Sequence, residues 1–225
     1  MRSDGERYRI LYEDRDVLVV YKGAGVAVQS ARVTVPDVMS MLEGELVKRE
    51  GRRPYLGLAN RLDQPVEGIF LVGRSARAAA ELSRQVGAHE EMEKWYQAVV
   101  WGRMPEKRGK LVDDLLKDRR RNVSLVVPKG TRGAKRCELF YEVLKEEEGK
   151  SLLRIRLLTG RHHQIRVQLS HAGVPIVGDK KYGREDRAGR LCLCACEVAF
   201  VHPGNGERMC FRVEPSFLEG WTKLD

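Results

Sequence analysis

Short strand-like segments outnumber helical patterns along this chain. A continuous apolar run from Val17 to Tyr21 predicts a buried strand that ends before Gly23 and Gly25. Further strand patterns cover Trp95–Trp101, Cys137–Leu144, Leu152–Leu158 and Leu191–Val201. Because these strands do not alternate regularly with helices, the pattern predicts an α+β fold with a largely antiparallel mixed sheet flanked by helices and loops.

Three segments have helical signals. The first starts near Pro36 and ends before Gly51, and the second has Ser75 as its predicted N-cap and Gly87 beyond its end. The third runs from about His163 to His171 and stops at Gly173. Their predicted inward-facing residues are Val38, Met41, Leu42 and Leu46 in the first helix, and Ala78, Leu82 and Val86 in the second.

Composition indicates a globular protein whose positive charge suits a polyanionic partner but also many ordinary basic proteins. The 225 residues are 42% hydrophobic and carry a net charge of +9. No linker-like stretch divides the chain, so we expect one domain over residues 1–225 that acts as a monomer. The segment from Lys94 to Arg136 contains thirteen Lys and Arg residues, which include Arg119-Arg120-Arg121, and four Asp and Glu residues. This segment is either a solvated basic loop or a surface that neutralises phosphates, and from Lys107 onward we expect no acidic counterpart near it.

Several classes of protein are disfavoured. No apolar run approaches the roughly 20 residues of a membrane span, and the first residues lack a signal-peptide core, so a cytoplasmic location is expected. The five cysteines are an odd number, and the spacing Cys192-x-Cys194-x-Cys196 matches no common zinc signature. We therefore expect reduced thiols and no metal site.

The segment Asn60–Gly68 places Arg61 and Asp63 in a turn just before the apolar strand Ile69–Val72. Taken alone, Asp63 is best explained as a turn-capping residue and Arg61 as a surface residue. A second polar cluster follows far along the chain, in Gly160–Leu169 and on through Gly178-Asp179 to Tyr182-Gly183. Between them, the alternation in Lys94–Gly102 puts Lys94, Tyr96, Ala98 and Val100 on one face of a strand.

These three segments resemble the R-L-D, K-x-Y-x-A-x-V-x-G and G-R-x-H-Q-I-R-V motifs of RluA-type RNA pseudouridine synthases. Residues Glu13–Gly25 resemble the family's opening strand and turn, so the likeness covers nearly the whole chain in the family's order. The resemblance implies a pseudouridine-synthase fold, RNA as the partner, and chemistry that needs no cofactor or metal. It implies no separate RNA-binding module ahead of the catalytic domain, because the first family-like strand begins near Ile10.

The resemblance also assigns roles to individual residues. Asp63 corresponds to the essential carboxylate, which acts either as a nucleophile or as an electrostatic and acid–base group. Arg166 corresponds to the arginine that pairs with that carboxylate and keeps it ionised, and Tyr96 to the tyrosine that stacks on the flipped uracil. Arg61 corresponds to the arginine associated with uridine extrusion. The further residues predicted to bind substrate are Arg161, His163, Gln164, Arg119, Arg120 and Arg121.

Some neighbours of these residues depart from the family pattern. Asn60 stands where the family usually has His, and Val66 and Glu67 replace the frequent Thr-Ser. Glu67 would repel the RNA backbone if it pointed into the pocket. It would have almost no effect on activity if it pointed to solvent. The three chemical residues are retained, which favours an active enzyme over a non-catalytic RNA-binding protein of the same fold.

Other functions fit the sequence less well. A helix-turn-helix centred on His163–Gly173 lacks a recognition helix, because Val174–Asp179 has the pattern of extended chain and a turn. A glycosidase would need two carboxylates across a sugar. Asp63 and Glu67 are available, but the arginines and the basic surface suit RNA better. Ribosomal RNA is the favoured substrate and transfer RNA the other candidate, and the sequence leaves the target uridine open.

Overall fold

The computed structural model describes residues 7–30, 35–88, 91–186 and 188–220. The chain divides into two compact units, one formed by the residues up to Glu93 with Ala195–Pro215, the other by Lys94–Cys194 with the residues from Ser216 onward. The strands in the described part are β1 Tyr8–Glu13, β2 Val17–Lys22, β3 Gly57–Leu58, β4 Glu67–Gly73, β5 Glu93–Trp101, β6 Arg108–Asp118, β7 Val123–Val127, β8 Lys135–Glu147, β9 Lys150–Leu157, β10 Leu193–Val201 and β11 Arg208–Arg212. The helices are α1 Val38–Glu50, α2 Ala76–Gly87 and α3 Gln164–His171, followed by a 3-10 helix, Ser216–Gly220. This content confirms the predicted α+β class.

The first unit is built on two fully buried strands, β2 and β4. Its strand order is β1-β2-β4-β10, with β3 added to β4 and β11 to β10. The pairs β1–β2, β2–β4, β3–β4 and β10–β11 are antiparallel. A core cluster joins these strands to α2, and it consists of Val17, Val19, Ile69, Leu71, Leu82, Met92, Val198 and Phe200. The continuous apolar runs of β2 and β4 are therefore explained by burial on both faces.

Both predicted helices of the first unit form, with small shifts at their ends. The carboxylate of Asp37 accepts the N–H of Ser40 at 2.8 Å, so α1 begins at Val38 rather than near Pro36. Gly51 adopts φ +72° and ends that helix. Ser75 caps α2 through the N–H of Ala78, as predicted, whereas Gly87 is still helical.

The second unit contains a sheet with strand order β5-β9-β8-β6-β7. All four pairs are antiparallel, and Tyr96 of β5 lies opposite Ile155 of β9. Alternation along β5 buries Lys94, Tyr96 and Ala98 on one face, as the sequence pattern predicts. The helix α3 packs against β6 and β7, with Val167 contacting Leu115 and Cys137.

The basic segment after β5 is a strand pair and not a loop. β6 and β7 form a hairpin whose register places Asp118 opposite Val123. Apolar and charged residues come in pairs along β6, as in Leu111-Val112 and Asp113-Asp114, so the sequence lacks the two-residue period that predicts a strand. The segment is therefore not a single loop, and Arg119, Arg120 and Arg121 lie in the exposed turn at the tip of the hairpin.

All five cysteines are reduced thiols, as expected. Among the residues that the structure describes, no helix combines the length and apolar character that a membrane crossing requires.

Candidate active site

Asp63 lies in the loop that joins β3 to β4. The N–H of Val66 donates to the carbonyl oxygen of Asp63 at 3.0 Å and closes a turn around Gln64 and Pro65. Leu62 is buried beside the turn, whereas Asp63 itself is half-buried. The loop is thus anchored on both sides of a carboxylate that keeps partial access to solvent.

Asn60 fixes the entry to this loop. Its side-chain Oδ1 accepts the N–H of Leu71 at 2.9 Å. The preceding residue, Ala59, donates its own N–H to the carbonyl of Leu71 at 3.1 Å. The amide of Asn60 therefore extends the pairing between β3 and β4 by one hydrogen bond.

Lys22 anchors the part of the loop that follows Asp63. Its side chain is fully buried, and its ammonium donates to the carbonyls of Gly23 at 3.0 Å and Gln64 at 3.1 Å and also to that of Val66. Carbonyl oxygens offset part of the cost of burying a cation. A second link joins Gly25 and Gln64, whose backbone and side-chain amides exchange two hydrogen bonds of 3.0 Å. The turn after β2 and the turn after Asp63 are therefore one bonded unit.

Glu67 opens β4 and is only 2% exposed. Its carboxylate accepts the hydroxyl of Tyr21 at 3.0 Å. The ring of Tyr21 in turn lies 5.3 Å from the guanidinium carbon of Arg9. The solvent-facing alternative for Glu67 is therefore wrong.

Arg61 borders a surface cavity of about 490 Å³. The side chain of Arg61 is exposed. The other residues that line the cavity are Ala27, Val28, Gln29, Ser30, Val35, Leu62 and Gln64. This cavity adjoins the turn that carries Asp63.

Tyr96 and Lys94 are presented by β5 in the second unit. They are 8% and 6% exposed and lie two residues apart on the same face of the strand. Burial lowers the pKa of Lys94. A Cβ added at Gly160 would be 3.8 Å from the Lys94 Nζ, so this ammonium lies beside the segment that leads into α3.

Arg166 is held rigidly in α3 by a carboxylate that follows the helix. Its Nε donates to Asp179 Oδ2 at 2.8 Å and its Nη2 to Oδ1 at 2.7 Å, with both side chains almost fully buried. Asp179 also accepts the backbone N–H groups of Lys181 at 2.9 Å and Tyr182 at 3.2 Å. Burial alone would raise the pKa of Asp179, but the Arg166 guanidinium and these N–H donors hold it below its ordinary value.

The start of α3 groups three of the predicted substrate-binding residues. Gln164 is buried, and its side chain accepts from Thr159 Oγ1 at 2.8 Å and Arg161 N–H at 3.0 Å and donates to the carbonyl of Glu138 at 3.1 Å. Arg161 is exposed beside it. His163 is buried, and its Nδ1 lies 2.7 Å from the hydroxyl of Tyr182. Gln164 thus shapes the turn that presents Arg161.

The three arginines at the β6–β7 tip differ from the other basic residues of that stretch. Residues of β6 and its flank pair with β8: Lys107 with Glu146, Arg108 with Glu142, and Lys110 with Glu138. Arg136 pairs with Glu138 within β8. The expectation of no acidic counterpart is therefore wrong for these residues, because antiparallel pairing brings β8 alongside β6. Arg119, Arg120 and Arg121 are exposed and form no ion pair within the part of the chain that the structure describes.

The predicted site residues are thus divided between the units. The first unit contains Arg61 and Asp63. The second unit contains the others: Tyr96, Arg161, His163, Gln164, Arg166 and the three tip arginines. The sequence predicted no role for Lys22, Asp179 or Tyr182. Their signals were a lysine that ends an apolar run and polar residues framed by Gly178 and Gly183. Within the described ranges, no group of three or more His, Cys, Asp or Glu residues is arranged to hold a metal ion.

A sequence model described as RNA pseudouridylate synthase matches residues 16–171. The chain therefore belongs to the RNA pseudouridylate synthase family, and its relatives place it in the RluA-type branch. It is 34% identical over 221 residues to the ribosomal large subunit pseudouridine synthase C of Escherichia coli K12, covering 94% of this chain and 67% of that protein. It is 31% identical to the dual-specificity RNA pseudouridine synthase RluA of Haemophilus influenzae, covering 92% of this chain and 93% of that protein.

Other relatives are longer than this chain. The match to synthase C of Buchnera aphidicola from Acyrthosiphon pisum, at 31% identity, covers 89% of this chain but 65% of that protein. Among solved structures, the human RNA pseudouridylate synthase domain containing 1 superimposes with a TM-score of 0.75 at 26% identity, covering 98% of this chain and 89% of that one. The predicted fold class and family are therefore confirmed.

Proposed function

We propose that this protein is an RNA pseudouridine synthase that isomerises a specific uridine in structured RNA. The observation that carries the proposal is the retention of Asp63, Tyr96 and Arg166 at the family's motif positions in a chain 34% identical to a named synthase. Ribosomal RNA is the favoured substrate, because several relatives are named ribosomal large subunit pseudouridine synthases. Transfer RNA is a second candidate, since one relative is named as dual-specificity.

The reaction is an isomerisation without net redox change. The bond between ribose C1′ and uracil N1 breaks, the base turns within the site, and C1′ joins C5. C5 loses a proton and N1 gains one, so atoms and charge balance. Asp63 serves either as the nucleophile or as the electrostatic and acid–base group. The half-buried position of Asp63 in a closed turn supports such a role, because a fixed carboxylate needs no reorganisation when charge develops.

Arg166 and Tyr96 are the further residues that we propose for the chemistry. A guanidinium carries five N–H donors, and Asp179 accepts from two of the nitrogens in Arg166. The resemblance to the family assigns Arg166 the role of partner to the essential carboxylate, and we propose that role here. Tyr96 supplies a ring for the flipped uracil and a hydroxyl near C5, and Arg61 occupies the space that the extruded uridine leaves in the RNA.

The departures from the family pattern are accommodated by local bonding. Asn60 accepts a backbone N–H from β4, and Glu67 accepts the hydroxyl of Tyr21 inside the first unit. Val66 is buried in the same unit. Each substituted side chain thus has an internal structural role. The retention of Asp63, Tyr96 and Arg166 favours an active enzyme over the alternative, a non-catalytic RNA-binding protein of the same fold.

The decisive variant is Asp63→Asn. We expect it to bind RNA with unchanged affinity and to lose tritium release from RNA labelled at uridine C5 by at least about 10³-fold, because an amide neither attacks nor carries the charge. Glu207→Gln is the matched control, since it makes the same acid-to-amide change at an exposed position of the first unit. Its turnover should equal that of the wild type.

Two results would reject the proposal. Substantial turnover by Asp63→Asn would remove Asp63 from the chemistry. RNA binding without tritium release by the wild type, across ribosomal and transfer RNA from cells lacking the protein, would favour the binding-module alternative.

A further inference from the structure

Tyr182 makes contacts to three parts of the second unit with one side chain. Its hydroxyl accepts the backbone N–H of Ser124 in β7 at 2.7 Å and lies 2.7 Å from Nδ1 of His163. Its ring lies 5.3 Å from the guanidinium carbon of Arg166 and meets the His163 ring edge-on at 5.5 Å. One residue therefore touches the hairpin, the start of α3 and the proposed catalytic arginine.

The hairpin side of this contact continues to the arginine tip. Ser124 Oγ donates to the carbonyl of His162 at 2.7 Å and lies 3.0 Å from its Nδ1. The Nε2 of His162 lies 3.2 Å from Oδ1 of Asn122, which directly follows Arg121. The rings of His162 and His163 are stacked at 3.7 Å. Side chains thus link the tip to α3 without a break.

Backbone conformation marks both ends of the same network. Asn122 and His163 have φ values of +51° and +55°, and only Glu148 shares this left-handed conformation among the described non-glycine residues. A histidine in this region is strained and persists when its surroundings fix it. For His163 those surroundings are the ring of His162 and both the ring and hydroxyl of Tyr182.

We propose that Tyr182 is a positioning residue that couples RNA contact at the β6–β7 tip to the placement of Arg166. The inference rests on the proposed function. Phosphates that bind Arg119, Arg120 and Arg121 would be held at a fixed distance from Arg166, because Tyr182 ties the hairpin backbone to α3 and packs its ring on the guanidinium. Structured RNA that reaches the tip would gain from this rigidity, which makes Tyr182 a determinant of substrate choice.

Tyr182→Phe separates the hydroxyl from the ring. The variant keeps the packing on Arg166 and loses the bonds to Ser124 and His163. We expect KM for structured RNA to rise about three- to tenfold, as the loss of one or two hydrogen bonds predicts, with kcat changed less than about twofold. Tyr141→Phe is the matched control, because Tyr141 is buried in the same unit with its hydroxyl over Gly109 of β6.

A double-mutant cycle tests the coupling itself. The partners are Tyr182→Phe and the triple change Arg119→Gln, Arg120→Gln and Arg121→Gln, measured by KM and by RNA affinity. We expect the combined variant to be weakened by less than the product of the separate effects, because a tip that no longer binds phosphate has nothing to transmit. Multiplicative effects, or an unchanged KM in Tyr182→Phe whatever its melting temperature, would overturn the proposal.

Measurements of RNA binding and tritium release by the wild type distinguish failure of this inference from failure of the proposed function. If the wild type binds RNA without releasing tritium, the enzymatic proposal fails, and the cycle on RNA affinity still decides the coupling. If the wild type is active and the cycle is multiplicative, only the coupling fails. Absence of RNA binding by the wild type would reject both.

Discussion

At the residue scale, the site depends on side chains that hold reactive groups and do not themselves react. Lys22 is the clearest case in the first unit. Its ammonium is buried without solvent contact and bonds the carbonyls of Gly23, Gln64 and Val66, two of them in the turn after Asp63. Its energetic role is to satisfy backbone acceptors that the fold has removed from water.

Lys22→Met should therefore destabilise the fold, since it keeps the aliphatic stem and leaves buried carbonyls without their donor. We expect a loss on the order of 2–4 kcal/mol in the free energy of unfolding by urea. Lys48→Met, an exposed lysine of α1, should change stability by less than about 0.5 kcal/mol. Equal stabilities for the two variants would show that the Lys22 bonds are not needed.

Asp179 makes the stability of the second unit depend on pH in the acid range. The pKa of Asp179 is held below its ordinary value, so its folded form is ionised at a lower pH than its unfolded form. The stabilisation is complete above the unfolded value of about 3.9. It is lost as the pH falls below that value and through the folded pKa.

Asp179→Asn should remove this part of the acid dependence and should also lower stability at pH 7, because Arg166 loses the carboxylate that holds it. The expected loss at pH 7 is about 3 kcal/mol, measured by urea unfolding between pH 2.5 and 7. An Asp179→Asn curve parallel to that of the wild type below pH 4 would contradict the assignment.

At the scale of elements, the β6–β7 hairpin separates two kinds of basic residue. Lys107, Arg108 and Lys110 face glutamates of β8, whereas Arg119, Arg120 and Arg121 are exposed at the tip. Strand pairing creates this distinction, because it sets β8 beside β6 and leaves the turn outside the sheet. The tip arginines are therefore the residues that we propose to replace counterions on RNA.

Changing all three tip arginines to glutamine should weaken RNA binding and reduce the slope of log affinity against log salt by about two to three. Lys107→Gln, Arg108→Gln and Lys110→Gln together form the matched control, which removes the same charge from the paired set. The control should leave a slope closer to that of the wild type. Equal slopes for both triple variants would show that position on the hairpin is irrelevant.

Element positions also show what local sequence can predict. The caps Ser75 and Gly51 and the apolar runs of β2 and β4 were read correctly, because capping and burial act over a few residues. The strands β6 and β7 were missed, since apolar and charged residues come in pairs along β6 and do not alternate. Their pairing with β8 and contact with α3 are tertiary, and no local signal encodes them.

At the scale of the whole molecule, the family relationship predicts that the purified protein is an active enzyme. Purified protein should convert uridine to pseudouridine in RNA from cells lacking it, with no nucleotide or metal added and with EDTA present, because every proposed step uses side chains of this chain. Pseudouridine mapping would report the position. Dependence of the conversion on an added metal ion would contradict the proposed chemistry.

The sequence by itself determined the α+β class, the family and the residues proposed for chemistry, because motif spacing and apolar periodicity are local properties of the chain. Tertiary structure decided which residues support them. Lys22 binds carbonyls about 40 residues away, and Asp179 and Tyr182 hold Arg166 through contacts that spacing does not specify. Such partners are selected by burial, since a polar group removed from water must bond to whichever group the fold brings near it.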